Sequence, residues 1–344
     1  MIRRLLLPAL LAVAALVATG CGGEDEAEPA TGPAAASAAF PATVEHRFGT
    51  TTVEQEPQRI AVVGLTEQDT VLALGFKPIA TTEWYGDQPH AVWPWARKLL
   101  GDAKPTVLQM RDGFDFEQIA SLAPDLIIGT NAGMRERDYE KLSKIAPTIA
   151  SPKDSPDYFS RWDRQVELVA AALGKPEEGE ALIRRVKDRY AAAAAEHPDF
   201  EGKTATFSQN GFYDGLIYVY PEGVNTEFLT YLGFEMNPEI TALAEQPGTQ
   251  VGISAERLDT LDADVIVFAT EKPADVGRLF EEPTFGLLDA VKGDRAVYTD
   301  GTLAGAIYFM TPLSLEYALD RLVPQLRDAV DGKAPRRVVD TSGG

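Results

Sequence analysis

The feature that most constrains this chain is a repeated unit: a short, uninterrupted apolar run beside a stretch with helical spacing. RIAVVG (Arg59–Gly64), DLIIGT (Asp125–Thr130) and VIVFAT (Val265–Thr270) are such runs. A strand without polar alternation is covered on both faces, as a parallel strand between helical layers is. TEQDTVLALG (Thr66–Gly75) follows the first run, with Thr66 as expected N-cap, helically spaced apolar residues and a glycine stop. PIATT (Pro78–Thr82) reads as the next strand, FEQIASLAP (Phe116–Pro124) as the helix before DLIIGT, and YEKLSKIAP with TIAS as a further helix–strand unit. The alternation predicts a three-layer α/β lobe. TVEHRFGTTTV (Thr43–Val53) precedes it as a hairpin, with Phe48-Gly49-Thr50 at the expected bend.

A second α/β series begins near Lys203, with TATFSQN, LIYVY, a helix NTEFLTYLG, ISAERLDTLDAD leading into VIVFAT, GDRAVYTD and a closing helix from about Pro312 to Val330. FDFEQIASLAPDLIIGT and GISAERLDTLDADVIVFAT echo each other in order: Glu, helix, a Leu-x-x-Asp corner, buried strand. Such an echo is weak evidence for a repeat. Between the two series lie YFSRWDRQVELVAAALG (Tyr158–Gly174) and a helix starting at Pro176 and running to His197. Pro176 suits a first helical turn, acids follow it, and Leu182, Ile183, Val186 and Tyr190 form a narrow apolar stripe. About 20 residues make a rod roughly 30 Å long, which either joins two lobes rigidly or is an ordinary packed helix.

The first residues, MIRRLLLPALLAVAALVATGC, set two Arg before an apolar run of 16 residues, shorter than the roughly 20 needed to span a bilayer. This is the form of a secretory signal peptide, and Ala18-Thr19-Gly20-Cys21 resembles a bacterial lipobox with Cys21 as the lipidated residue. Residues 22–39 are small, acidic and Pro-containing, a flexible tether. The net charge of −20, which losing the two Arg with the signal takes to −22, excludes a nucleic-acid partner. With one Cys and three scattered His, neither a disulfide nor a His- or Cys-built metal site is expected. The sequence therefore divides into 1–20 signal peptide, 21–40 anchor and acidic tether, 41–157 N-terminal lobe, 158–198 helical linker, 199–330 C-terminal lobe and 331–344 frayed tail.

The lipobox, PQRIAVVGLTEQDTVLALGFKPIATT, FDFEQIASLAPDLIIGT, YEKLSKIAPTI and AERLDTLDADVIVF together resemble the iron–siderophore substrate-binding lipoproteins of ABC importers, a family that also includes vitamin B12 and haem binders. The resemblance covers about Thr43 to Val330. It implies two α/β lobes joined by one long helix, a ligand cleft between them, and docking on a membrane permease. It also implies that Glu117 and Glu256, the matching acids of the echoed segments, pair with permease arginines; alternatively each only favours its own helix N-terminus.

Open α/β sheets place their sites at the carboxyl ends of strands. This nominates Thr66, Glu67, Trp84, Tyr85, Arg111, Asn131, Met134 and Arg135 in the first lobe, and Gln209, Phe212, Tyr213 and Tyr308 in the second. Tyr158 and Trp162 stand where the linker begins. Aromatics and a few donors suit a bulky chelate, whose iron the siderophore already coordinates, so no protein metal ligand or cofactor is expected. With only Arg111, Arg135 and Arg97 near these loops, a hydroxamate chelate fits better than an anionic triscatecholate.

Haem, cobalamin, ferric citrate and a bare ferric ion are the alternative cargoes. No G-x-S-x-G, P-loop, G-x-G-x-x-G or H-E-x-x-H motif points to an enzyme, and a purely structural surface lipoprotein is the remaining rival. The expectation is a monomeric, lipid-anchored binding protein on the outer face of the membrane.

Overall fold

The structure, a computed structural model, describes residues 39–110, 113–246 and 248–341. The signal peptide, Cys21 and nearly all of the tether lie outside the described residues.

A hairpin, β1 (Ala42–His46) and β2 (Gly49–Val53), opens the body. His46 pairs with Gly49, so the bend is Arg47-Phe48, one step before the position expected from the glycine. There follow β3 (Ile60–Val62), α1 (Gln68–Ala73), β4 (Ala80–Glu83), α2 (Pro94–Leu100), β5 (Thr106–Gln109), α3 (Phe116–Ser121), β6 (Leu126–Ile128), α4 (Glu136–Leu142) and β7 (Thr148–Ile149). The five strands form a parallel sheet in the order β5-β4-β3-β6-β7. The uninterrupted apolar runs have a direct cause here. Ile60, Val62, Leu126 and Ile128 enter the core on one face, while Ala61, Val63 and Ile127 enter the core on the other.

Two helices follow, α5 (Trp162–Ala172) and α6 (Pro176–Glu196). α5 starts later than the spacing from Tyr158 predicts, because Phe159 adopts a left-handed backbone with φ 54°. α6 spans 21 residues, about 30 Å. Its stripe of Leu182, Ile183, Val186 and Tyr190 packs into the core of the second sheet, while Val169 and Ala172 of α5, with Leu173 just after it, lie in the core of the first.

The second lobe comprises β8 (Thr204–Tyr213), β9 (Leu216–Tyr220), α7 (Glu227–Thr230), β10 (Glu235–Met236), α8 (Pro238–Leu243), β11 (Val251–Ser254), β12 (Val265–Ala269), α9 (Pro273–Glu281), α10 (Asp289–Lys292), β13 (Ala296–Tyr298), α11 (Gly301–Phe309) and α12 (Pro312–Val330). Its sheet runs β11-β9-β8-β12-β13, with β10 beside β8. This sheet is mixed: β9 is antiparallel to β8 and to β11. Asp214-Gly215 joins β8 to β9, both residues at positive φ, 50° and 78°, as a two-residue hairpin requires. Ala255–Leu261 forms 3-10 turns, whereas its echo, α3, is an α-helix.

Thr66 does not cap α1. Its hydroxyl accepts from the Asn131 side-chain amide, and Glu67 stands at the helix start. The C-terminal segment is docked through its described residues, contrary to the frayed tail expected. Ala334 is buried, Arg336 pairs with Asp294, and the Thr341 carbonyl accepts from Tyr317.

The lobes meet along a seam at the N-terminal ends of α1 and α12. Gln68, Asp69 and Thr70 are all buried there. The Asp69 carboxylate accepts from the Trp95 indole N–H at 2.7 Å and from the Thr311 hydroxyl at 2.6 Å; Thr311 is the N-cap of α12. Burial pushes the Asp69 carboxyl up from 3.8 to about 6, against these two stabilising bonds. The stability this group contributes is complete below the ordinary carboxylate range and is lost as pH rises through about 6. Asp69→Asn keeps an acceptor without the titration. Urea unfolding of both proteins should show wild-type stability falling relative to the variant by about 2.4 kcal/mol between pH 4 and pH 7. A pH-independent difference would mean that folding leaves the Asp69 pKa unshifted.

Candidate functional site

Beyond β4 the chain leaves the sheet through Trp84 and Tyr85. The Trp84 ring lies 4.9 Å from Tyr85, 5.4 Å from Phe159 and 5.4 Å from Phe309 of α11. Tyr85 also contacts Trp93 and Tyr308. Aromatics of both lobes thus form one cluster, which makes the floor of an interlobe cavity of about 540 Å³.

Phe207 and Gln209 of β8 and Tyr220 of β9 supply the facing wall. Phe207 and Tyr220 stack at 4.9 Å, so a ligand meets a flat apolar face. Asn225, Gln250, Glu271, Ile307 and Tyr308 complete the lining with Gly248. Tyr308 donates to the Ala269 carbonyl at 3.2 Å, which fixes its ring. Burial holds the Tyr85 and Tyr308 phenols well above their usual range and raises Tyr220 to about 12, so all three are neutral hydroxyls at physiological pH. Burial, then Asp275, raises the Glu271 carboxyl.

Among the described residues no Arg or Lys lines this cavity. Two further hollows adjoin it. A side chamber of about 390 Å³, sharing Gln209 and Gln250, is lined by Asn210, Phe212, Tyr213, Asp275 and Arg278. A groove of about 430 Å³, sharing Phe159 and Gly248, carries Lys153, Arg161 and Arg164. Every one of these cations has an acidic partner: Arg278 with Asp275, Lys153 with Glu45, Arg161 with Asp163 and Glu227, and Arg164 with Glu167. Among the described residues no cluster of His, Cys, Asp or Glu could hold a metal ion, and no helix is long and apolar enough to cross a membrane.

Of the nominated residues, the structure brings Trp84, Tyr85, Gln209 and Tyr308 together in the main cavity, and Phe212 and Tyr213 in the side chamber. Tyr213 is 69% exposed at the hairpin tip. Thr66, Glu67 and Asn131 instead form a buried stitch beneath the cleft. The Glu67 carboxylate accepts from the amides of Thr66 and Asn131, while the Asn131 side chain accepts from the Phe159 amide at 2.8 Å. Gly64 is required there, because a Cβ would lie 2.0 Å from the Glu67 carboxylate.

Met134 is core, and Arg135 is spent on Asp138 in the first turn of its own helix. Arg97 bonds the Val92 carbonyl. Trp162 is buried in the core, and the hollows it lines hold about 10 Å³, room for no more than a water. Tyr158 is 41% exposed and packs over Gly133; its neighbour Phe159 is the residue that reaches the cavity. Arg111 lies outside the described residues.

Glu117 and Glu256 are both exposed, one on α3 and one on the 3-10 turns that echo it. Sequence reasoning missed Phe159, Phe207, Tyr220, Asn225, Gln250 and Glu271. Asp214-Gly215 was the available signal for Tyr220, since a tight hairpin sets β9 against β8.

Residues 60–303 match the family model described as periplasmic binding protein. A probable siderophore-binding lipoprotein of Bacillus subtilis is 30% identical over 236 residues, 67% of this chain and 69% of that protein. A periplasmic solute binding protein of Mycobacterium smegmatis superposes with TM-score 0.77 at 40% identity, covering 84% of this chain and 98% of that one. PiaA of Streptococcus pneumoniae, in complex with ferrichrome, gives TM-score 0.70 at 25% identity over 84% of this chain and 99% of its own.

The reassignment of Trp162 is testable. Trp162→Phe should lower stability by about 1–2 kcal/mol through the space it leaves in the core, measured by urea unfolding, with ligand affinity unchanged within twofold. A larger loss of affinity at unaltered stability would return Trp162 to the cleft.

Proposed function

This chain belongs to the periplasmic binding protein family, and on that premise we propose that it is the substrate-binding lipoprotein of an ABC importer and captures a ferric siderophore of the hydroxamate type. One observation carries the choice of cargo: among the described residues the interlobe cavity is aromatic and amide-lined, holds one carboxylate and no base, and the cations lining its two adjoining hollows are paired. A triscatecholate or citrate complex brings several negative charges, which such a site would repel and leave unpaired. In a tris-hydroxamate the three ligand charges cancel those of Fe(III). The exposed carbonyl oxygens of that chelate can accept from Gln209, Asn225 and Gln250, while its apolar arms rest on Trp84, Phe207 and Tyr220. PiaA is a relative solved with such a chelate.

In this reading Cys21 carries the lipid, residues 22–39 tether the body at the outer membrane surface, and the body acts as a monomer. Glu117 and Glu256 supply one anionic point per lobe, which orients the loaded protein on basic permease residues and speeds encounter.

Intrinsic tryptophan fluorescence tests the cargo, since Trp84 lines the cavity and Trp93 and Trp95 belong to the same aromatic cluster. A ferric hydroxamate should quench saturably and its iron-free form much less. Tighter binding of a ferric catecholate or citrate would overturn the hydroxamate assignment, and quenching by haem or cobalamin alone would change the cargo. The docking role has a separate readout: Glu117→Arg with Glu256→Arg should abolish iron uptake by cells and leave chelate affinity unchanged. Loss of affinity in that double variant would refute it.

A further inference from the structure

Among the described residues Glu271 is the one carboxylate lining the main cavity, and its surroundings fix it there. It lies two residues beyond the end of β12, after Thr270, which is buried and exchanges hydrogen bonds with Thr299. Its own amide donates to the Asp275 carboxylate at 3.1 Å. α11 begins against it: a Cβ on Gly301 would lie 2.8 Å from the Glu271 carbonyl, so only glycine permits this approach. The backbone is thus held on both sides. The side-chain carboxylate, in contrast, has no hydrogen-bond or salt-bridge partner among the described residues.

An anionic group beside Tyr85, Tyr220 and Tyr308, offset among the described residues only by its neighbour Lys272, which is not part of the cavity lining, favours a ligand that brings its own cation. The faces of Trp84 and Tyr220 in the same cavity add attraction for an ammonium group. We infer that Glu271 is a specificity-determining residue that makes the cleft prefer a ferric hydroxamate carrying a protonated amine over the same chelate without one. This inference rests on the siderophore reading above. The Fe(III) tris-hydroxamate core is neutral and is held by the aromatic and amide lining. The pendant ammonium is what the carboxylate selects.

Ferrioxamine B, with its free ammonium, and its N-acetylated form, neutral on the same iron core, isolate this charge. Fluorescence titration at low salt should show the wild-type protein binding the ammonium form about fivefold to tenfold more tightly, a gap that narrows as salt is added. Glu271→Gln should equalise the two, and Glu271→Lys should reverse the order, each read as the ratio of the two affinities within the same variant. Equal wild-type affinities, or a preference that survives in Glu271→Gln, would overturn the role of Glu271 while leaving the hydroxamate reading intact. Failure of both chelates to bind would overturn that reading as well.

Discussion

The interlobe arrangement depends on one buried carboxylate. Asp69, at the start of α1 in the first lobe, is bonded at once to the Trp95 indole and to the hydroxyl of Thr311, which caps α12 of the second lobe. Ionised, this group is costly to bury, and its two donors are what make the position tolerable. Those donors also set geometry: a hydrogen bond inside a dry interface admits little sliding, so α1, α2 and α12 are held in one relation.

Around that point the lobes are joined by aromatics. Trp93 and Trp95 stack at 5.1 Å and both meet Phe309, while Trp95 also meets Tyr317. Gly305 lets α11 come this close, because a Cβ there would lie 2.6 Å from the Trp93 ring. Each aromatic contact contributes about 0.5–1.5 kcal/mol beyond its burial. With α5 and α6 adding cores on either side, the lobes have little freedom to open at this end. A cavity already formed before a ligand arrives would limit the ordering cost of binding.

The electrostatics follow the same economy. The chain is strongly acidic, yet the cations around the cleft are not left to counter that field, since each is tied to a neighbouring acid. On the proposed reading the cleft discriminates by repulsion of anions and by the Glu271 carboxylate rather than by a cluster of bases. The exposed acids on α3 and on the echoing 3-10 turns lie outside the cavity lining, so under the proposed docking role cargo and permease would be recognised on different surfaces.

The sequence by itself determined the strands, the long helix and the two-lobe plan. Runs such as Ile60–Val63 and Val265–Ala269 have no polar residue to expose, so each had to lie inside a covered sheet. It also marked the segments beyond the strands where Trp84, Tyr85 and Tyr308 converge, because the carboxyl ends of such strands face one another, although Tyr308, read from the sequence as lying in a loop, stands on helix α11. Only the tertiary structure decided which of two adjacent aromatics points inward: the left-handed backbone at Phe159, held by Asn131, turns that ring into the cavity and leaves Tyr158 outside. It likewise took Thr66, Asn131 and Trp162 out of the cleft and put Phe207, Tyr220 and Glu271 into it. Local pattern fixes which elements form and which of their faces are apolar, whereas the side chains that share a cavity are set by contacts between segments more than a hundred residues apart, which no local spacing encodes.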